Sequence, residues 1–299
     1  DNSWNSADQI PERAVNRGLI SALGSIDTTV GGNSSRYSLS ANWTRAAESS
    51  ELRVSAYGIA YEMELWSNFS YFIEPEGDQF KQVDERRIYG GEVAWESFGQ
   101  LGELEMSNTF GSQLRVDDID RVGLQSTSRR QFLRDIRLDS VQQWSASLFW
   151  QNELRWTERL RSVVGLRHDY YDFDVTALAA GNTNTLGPNS GKADANINTA
   201  SLSLIYQLTE NHELYAAIGE GFHSNDARGV TIALDPLTAD VVEKADPLVD
   251  TLVSEIGLRA FISERLNATI ALWQLDIDSE LIFVGDAGNT EDTGVASER

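Results

Sequence analysis

Apolar and polar residues alternate one by one through most of the chain between residues 36 and 283. In the stretch RYSLSANWT, Tyr37, Leu39 and Trp43 share one side, while serine, asparagine and threonine side chains take the other. The stretches NTASLSLIYQL and QWSASLFWQNELRW repeat this pattern. Because successive side chains of a β-strand point to opposite faces, a period of two predicts strands with one apolar and one polar face.

The connections between the predicted strands are alternately short and long. Antiparallel hairpins with short turns at one end and long loops at the other produce this order, and about ten strands fit between Arg36 and Phe283. The predicted short turns are Ala47–Ser50, Ser97–Gly102, Thr157–Arg159, Thr209–His212 and Ser263–Arg265, and the predicted long loops are Ser67–Arg86, Val116–Ser140, Thr176–Asp194 and His223–Asp250.

Aromatic residues recur at one height on the apolar side. Trp43, Trp95, Trp156 and Tyr206 each precede a predicted short turn by a few residues. Core aromatics of a soluble sandwich would be scattered along the strands, whereas a common height is typical of the aromatic girdle of a transmembrane barrel. The pattern therefore favours an all-β fold: an antiparallel up-and-down transmembrane β-barrel with short periplasmic turns and long extracellular loops.

Composition narrows the function classes. The 299 residues carry 46 Asp and Glu against 24 Lys and Arg, a net charge of -22, which argues against a nucleic-acid partner. Cysteine is absent, which excludes disulfides, Cys-ligated metals and thiol catalysis. No apolar stretch approaches the roughly 20 residues of a spanning helix. No cofactor and no metal site is predicted. The start at Asp1, without a leader, leads us to expect a mature or excised fragment.

Three stretches resemble one family of outer-membrane proteins. HELYAAIGEGFHSNDARG resembles a strand that leads into a long extracellular loop in TonB-dependent receptors. SEIGLRAFISERLNATIALWQLDIDSELIFVGDAG resembles a down strand, a turn and an up strand of that family, and LRSVVGLRHDYYDFDV resembles its strand ends. The resemblance covers most of residues 36–288. These motifs are specific to the family and carry no information about the ligand.

The resemblance implies a barrel of about 22 strands that holds an N-terminal plug. It also implies a location in the outer membrane of a Gram-negative bacterium, in contact with lipid. The TonB complex would drive uptake of a scarce nutrient, most commonly an iron–siderophore complex. Neither a plug nor a TonB box is recognisable here, so we expect a partial barrel with both flanks missing. Residues 1–35 are expected to be an extracellular loop region, and residues 36–299 the partial barrel.

The sequence His223-Ser224-Asn225 suggests a hydrolase, but adjacent residues of an extended chain point to opposite faces and no G-x-S-x-G elbow accompanies them. Turn chemistry is the ordinary explanation of such residues. A further hypothesis is ligand contact from an extracellular loop, because loops on a rigid scaffold commonly carry binding function. The candidate ligand-binding residues are His223, Asn225, Asp226 and Arg228.

Other charged groups have simpler explanations. Asp117, Asp118 and Asp120, or Asp169, Asp172 and Asp174, could coordinate a hard cation, but neither set matches an EF-hand and both suit solvated loops. Glutamates on the polar strand faces are expected to line the lumen rather than to hydrolyse glycosides. The expected lumen residues include Arg53, Glu92, Glu105, Glu153, Arg155, Arg167, Glu255 and Arg259.

The leading functional hypothesis is therefore a transport receptor without catalytic residues. A passive porin is the alternative, and an outer-membrane esterase is a weaker one.

Overall fold

The predicted strands form in the order of the sequence, each hydrogen-bonded to its neighbours along the chain. The computed structural model describes residues 1–5, 10–71, 73, 75, 77–183, 186–263, 265–278, 281–284, 289–292 and 297–298. Two five-residue helices, α1 (Glu12–Asn16) and α2 (Ala227–Thr231), accompany the strands. The strands are β1 (Asn2–Asn5), β2 (Gly31–Ala46), β3 (Ser50–Ser67), β4 (Gln79–Leu101), β5 (Leu104–Ser128), β6 (Gln131–Arg155), β7 (Leu160–Ala179), β8 (Gly191–Thr209), β9 (His212–Ser224), β10 (Leu248–Ser263), β11 (Leu266–Ile277), β12 (Leu281–Val284), β13 (Asn289–Asp292) and β14 (Ser297–Glu298).

Twelve of these strands form one antiparallel sheet in the order β1 to β11 followed by β14, and β12 and β13 form a separate hairpin. The ten long strands, β2 to β11, match the expected number of about ten. The prediction of an all-β, up-and-down antiparallel architecture is confirmed. Short turns and longer connections alternate between these strands as predicted, with one exception.

The exception is the predicted loop Val116–Ser140. There β5 and β6 continue as a paired hairpin, and Arg129 and Arg130 alone form the turn, both with positive φ. The prediction was wrong because the pairing of β5 with β6 shifts register three times between Ile119 and Thr127, and such bulges break the alternation that marks a strand. Two bounds also differ: β2 begins at Gly31, and β11 ends at Ile277 rather than continuing to Phe283. Residue 264, within a predicted turn, and residues 279–280 and 285–288, within the resembling stretch, lie outside the described residues.

The register places the apolar residues of successive strands on one face, called here the apolar face. Its leucines are strongly exposed: Leu39 is 80% and Leu272 74% exposed. Exposing so much apolar area to water is unfavourable by about 25 cal/mol per Å2, so a contiguous face of this kind belongs against an apolar medium. The opposite side, called the polar face, carries serine, glutamine, arginine and carboxylate side chains.

The aromatic girdle lies where the sequence predicts it. Trp43, Trp95 and Tyr206 are on the apolar face by register. Trp156, one residue past β6, donates to Ser162 of the same face, and all four aromatics are substantially exposed. A second set that sequence reasoning missed, including Tyr89 and Trp144, lies toward the other end of the same face. At ~3.4 Å per residue and ~40° tilt, Trp144 and Trp156 are about 30 Å apart along the membrane normal, which matches the bilayer core.

The buried apolar core lies toward the long-loop end, beneath the connection between β9 and β10 (residues 225–247, the β9–β10 loop). Phe173 and Val175 of β7 pack with Val141 of β6 and with Ala227 of α2. A second cluster joins Leu124 and neighbouring residues to Leu237 of the same loop. Phe173 belongs to the polar face, because it follows Arg167 at even spacing on β7. The β9–β10 loop therefore folds over the polar face of the sheet.

Candidate functional site

The polar face near the short turns is a belt of paired charges. Arg53 bonds both Glu51 and Glu96, at 3.0 and 3.1 Å. Farther along the sheet, Arg155 pairs with Glu105, and a chain of contacts joins Glu153, Arg161, Glu213 and Arg259. The eight expected lumen residues, Arg53, Glu92, Glu105, Glu153, Arg155, Arg167, Glu255 and Arg259, all lie on this face by register.

Above this belt, four neighbouring strands each carry an ion pair between an arginine and an aspartate two residues apart. Alternate residues of a strand share a face, so a planar guanidinium can bind the adjacent carboxylate with two parallel hydrogen bonds. The arginine Nε to carboxylate distances are 2.6 Å for Arg86–Asp84 on β4, 2.7 Å for Arg115–Asp117 on β5, 2.7 Å for Arg137–Asp139 on β6 and 2.7 Å for Arg167–Asp169 on β7.

Sequence reasoning identified Asp117 and Asp169 as possible cation ligands and Arg167 as a lumen residue, but it did not predict these pairs. A signal was present, because opposite charges two residues apart recur in RVD, RLD and RHD. The aspartates of the pairs on β5, β6 and β7 are almost wholly buried, while Arg115 and Arg167 remain partly exposed. Each carboxylate therefore holds its arginine in place and leaves the outer N–H groups of Arg115 and Arg167 free to donate.

Arg115 of β5 and the Arg167–Asp169 pair of β7 border a depression of about 310 Å3 on the polar face. Its floor and rim come from five consecutive strands, β3 to β7. Glu92 accepts a 2.6 Å hydrogen bond from the Gln113 side chain on one side of it. Tyr57 and Tyr171 contribute aromatic rings, and Ser147 lies between the two arginines.

The candidate residues at the end of β9 occupy three different environments. His223 lies on the polar face, half-buried and paired in register with Val249, whereas Ser224 points to the other side and is exposed. Asn225 is buried: its side chain donates to the Asp246 carbonyl at 2.6 Å, and its N–H to the Pro247 carbonyl at 3.0 Å. Because these three side chains diverge, the structure does not bring them together as a triad.

Asp226 and Arg228 form a salt bridge at the start of α2. The carboxylate caps the helix by accepting the Arg228 N–H at 2.9 Å, and it also accepts from Nη2 of the Arg228 side chain at 2.6 Å. Arg137 of β6 donates to the Arg228 carbonyl at 3.1 Å, which ties the loop to the sheet. Burial alone would raise the pKa of Asp226, but the Arg228 charge and hydrogen bonds outweigh it and lower that pKa to about 2.

Asn189 fastens the β9–β10 loop to the loop that precedes β8. Its buried side-chain oxygen accepts the N–H groups of Ala233 and Leu234, at 3.0 and 2.9 Å, and its amide donates to the Leu234 carbonyl at 2.9 Å. Both polar atoms of this side chain therefore bond the same backbone segment. The loop is thus held in a defined place over the polar face.

Within the described part of the chain, no three His, Asp or Glu side chains gather as a metal site. Members of the two acidic clusters bind arginines instead: Asp117 pairs with Arg115, Asp169 with Arg167, and Asp120 with Arg87 at 3.3 Å. Among the described residues there is also no helix long and apolar enough to cross a membrane.

Comparison with known proteins agrees with this geometry. The family model described as TonB dependent receptor-like, beta-barrel, matches residues 2–297. Among solved structures, the ferric-catecholate import receptor Fiu from Escherichia coli K12 in its closed form is similar with a TM-score of 0.64 at 14% identity, over 96% of this chain and 47% of that one. The unliganded ferric citrate transporter FecA gives a TM-score of 0.69 at 10% identity, over 91% and 38%. The copper transporter OprC gives 0.66 at 14% identity, over 91% and 43%.

These similarities at low identity establish the fold, and the chain spans less than half the length of each of the three proteins. The family match extends over almost all of the sequence and agrees with the apolar outer face, the girdle and the alternation of turns and loops. Members of the family reside in the outer membrane of Gram-negative bacteria, which fixes the location of this chain. The chain belongs to the β-barrel region of the TonB-dependent receptor family.

Proposed function

We propose that this chain is the barrel part of a receptor that takes up a scarce nutrient by TonB-dependent transport, with an iron–siderophore complex as the leading ligand. The family match carries the proposal. Support for the ligand comes from similar structures, which include receptors described as importing ferric catecholate, ferric citrate and ferric yersiniabactin. The domain division, with residues 1–35 as an extracellular loop region and 36–299 as barrel, is part of this proposal.

The proposed partners are outer-membrane lipid on the apolar face, the TonB complex through a region outside this sequence, and a small-molecule chelate. Nucleic acid is not a partner in this proposal, since the net charge of -22 would repel it. Catalysis is not part of it either, because His223 and Ser224 point to opposite faces. The porin and esterase alternatives have no observation in their favour.

Uptake by cells tests the proposal. A strain lacking the gene for the complete protein would be offered a panel of radiolabelled ferric chelates, with cobalamin and oligosaccharides alongside. We expect the gene to restore accumulation of at least one ferric chelate, and deletion of TonB to abolish it. Accumulation that persists without TonB would favour a porin, and restored uptake of cobalamin or an oligosaccharide alone would replace the siderophore.

Ligand contact by His223, Asn225, Asp226 and Arg228 stays a prediction. Asn225, Asp226 and Arg228 all bond within or beneath the loop, so substituting them would disturb loop structure as well as any contact. His223→Ala is the cleaner variant, because the imidazole is half-buried at the strand end. We expect the affinity for the chelate to fall several-fold while the free energy of unfolding stays unchanged. Unchanged affinity would remove His223 from the ligand site.

A further inference from the structure

Two polar side chains stand on the apolar face, below the girdle at the long-loop end. His168 of β7 and Asn198 of β8 are opposite each other in register, and both are exposed. His168 is also paired with Leu148 of β6 on that face. Because an amide oxygen only accepts, the imidazole Nδ1 donates to the Asn198 oxygen, at 2.9 Å. Among the described residues, the Asn198 amide N–H groups and the imidazole Nε2 have no further partner.

The height of this pair in the membrane follows from its neighbours on β7. Tyr170, two residues farther along, belongs to the girdle, and its ring centroid lies 5.3 Å from that of Trp144. Asp172 comes two residues later and is in register with Trp144 on the same face. At ~3.4 Å per residue and ~40° tilt, His168 lies about 10 Å beneath Asp172. Polar groups without a partner are unfavourable at that level, because lipid tails form no hydrogen bonds.

The backbone beside Asn198 lacks partners as well. β8 pairs with β9 only from Ser201 to Thr209, so the edge of β8 before Ser201 is open. Ala200 directs its N–H into this gap, where the Glu220 carboxylate accepts it at 3.0 Å in place of a strand carbonyl. Asn198, two residues away, points its own N–H and C=O the same way and has no strand opposite. Lipid-exposed strand edges are not tolerated in a bilayer, so a further polar group is needed here.

An apolar groove of about 500 Å3 adjoins the pair on the same face. It is bordered by Phe110, Leu148, Trp150, Leu166, His168 and Asn198. Leu166 lies two residues nearer the short turns than His168, so the groove descends from the polar pair toward the middle of the bilayer. Apolar walls below hydrogen-bond donors match an acyl chain that hangs from a carbonyl group.

The charges above the pair are negative. Asp172 of β7 and Asp194 of β8 face each other in register, and neither forms a salt bridge among the described residues. The cation of this region, Lys192, is engaged by Asp174 at 2.7 Å. Like charges directly opposite each other in a sheet are destabilising, and a cationic group between them removes that repulsion. The wall at headgroup level therefore favours an ammonium group over a phosphate.

We propose that these residues form a site, called here the lipid site, for one acyl lipid with an ammonium headgroup. The ammonium group lies between Asp172 and Asp194, a chain carbonyl accepts a hydrogen bond from the Asn198 amide, and the chain fills the groove. Such binding differs from general contact with lipid, because it depends on the headgroup and on how the chain is linked to it. The lipid site is on the opposite side of the wall from the polar face, so it is separate from the proposed uptake function.

Native mass spectrometry of the complete protein that contains this chain tests the lipid site. The protein is held in tetraethylene glycol monooctyl ether, a detergent without carbonyl groups, and titrated with lipids of equal chain length. The probes are ester-linked phosphatidylethanolamine, its ether-linked analogue and ester-linked phosphatidylglycerol. We expect one ester-linked phosphatidylethanolamine to bind roughly three- to tenfold more tightly than its ether analogue, the value of one hydrogen bond, and more tightly than phosphatidylglycerol. Equal binding of the ester and the ether, or a preference for phosphatidylglycerol, would overturn the proposal.

Variants assign these preferences to individual groups. Asn198→Leu removes the amide donor and should abolish the preference for the ester over the ether. Asp194→Asn should reduce the preference for the ammonium headgroup. Asn152→Leu is the matched control: Asn152 lies on the same face of β6, but its amide already donates to Asn108 at 3.0 Å, so both preferences should stay unchanged.

An ester preference that survives Asn198→Leu, or that Asn152→Leu removes equally, would contradict the lipid site. If Asn198→Leu does not fold, Asn198→Ala takes its place, because it also removes the amide donor.

Discussion

The two ends of the polar face use charge in different ways. At the short-turn end, Arg53 and Arg155 are paired but about half exposed. At the long-loop end, Arg137 and Asp139 form a pair whose side chains are 3% and 1% exposed, beneath a loop that Asn189 also holds. Water can replace either partner of an exposed pair, whereas nothing replaces the partner of a buried one. An arginine–carboxylate pair should therefore contribute little to stability at the short-turn end and much more at the long-loop end.

The largest effect should come from Arg137→Met. The variant leaves the Asp139 carboxylate buried without its partner and removes the bond to the Arg228 carbonyl. We expect a loss of about 3–5 kcal/mol in the free energy of unfolding, measured by urea denaturation in phospholipid vesicles. The double variant Arg137→Met with Asp139→Leu should recover much of that loss, since no charge then stays buried. If the double variant were as unstable as the single one, the loss in the free energy of unfolding would come from altered packing and not from the unpaired Asp139 charge.

Asn189→Ala should come next. It removes one acceptor and one donor that serve the backbone of Ala233 and Leu234. We expect about 2–3 kcal/mol of local destabilisation, seen as faster amide hydrogen exchange across the β9–β10 loop with little change in the strands. Asn196→Ala, at an exposed position of β8, is the control and should leave exchange unchanged. Slower exchange or no change in the loop would show that Asn189 does not fasten it.

Acid should loosen the loop through Asp226. Its pKa is about 2 in the folded chain against an ordinary value of 3.8, so its ionised form stabilises the fold fully above about pH 4. That contribution is lost as the pH falls from about 4 toward 2, because the unfolded chain then binds the proton more tightly. Allowing for the exposed third of the side chain, we expect about 1–2 kcal/mol. Asp226→Asn should flatten this part of the stability profile, and an unflattened profile would assign the acid response to other groups.

The contrast between the two ends also explains what could be predicted. The strands, the short turns and the girdle at Trp43 and Trp95 could be predicted, because each strand has one face toward lipid. That arrangement leaves a local alternation of apolar and polar residues that can be recognised in the sequence. The infolding of the β9–β10 loop depends on contacts between residues far apart in sequence, such as Asn189 with Leu234. No local pattern specifies such a contact.

The candidate site shows the same limit. His223, Asn225, Asp226 and Arg228 stand out because polar residues cluster in sequence, yet three of them serve the loop itself. The depression around Ser147 is assembled from five strands, and each strand contributes residues that look like ordinary wall lining. Register, not composition, brings Arg115 and Arg167 to either side of one serine.

The smallest loss in the free energy of unfolding should come from Arg53→Gln at the short-turn end. Both of its carboxylate partners, Glu51 and Glu96, remain accessible to water after the substitution. We expect a loss of at most about 1 kcal/mol in the free energy of unfolding, which shrinks further as salt screens the belt. Measured beside Arg137→Met in the same vesicles, the two variants should differ several-fold in the free energy of unfolding that they lose. Added salt should reduce the loss caused by Arg53→Gln and leave the loss caused by Arg137→Met unchanged. If Arg53→Gln were as damaging as Arg137→Met, burial would not be what separates the two ends, and the whole polar face would have to act as one connected charge network.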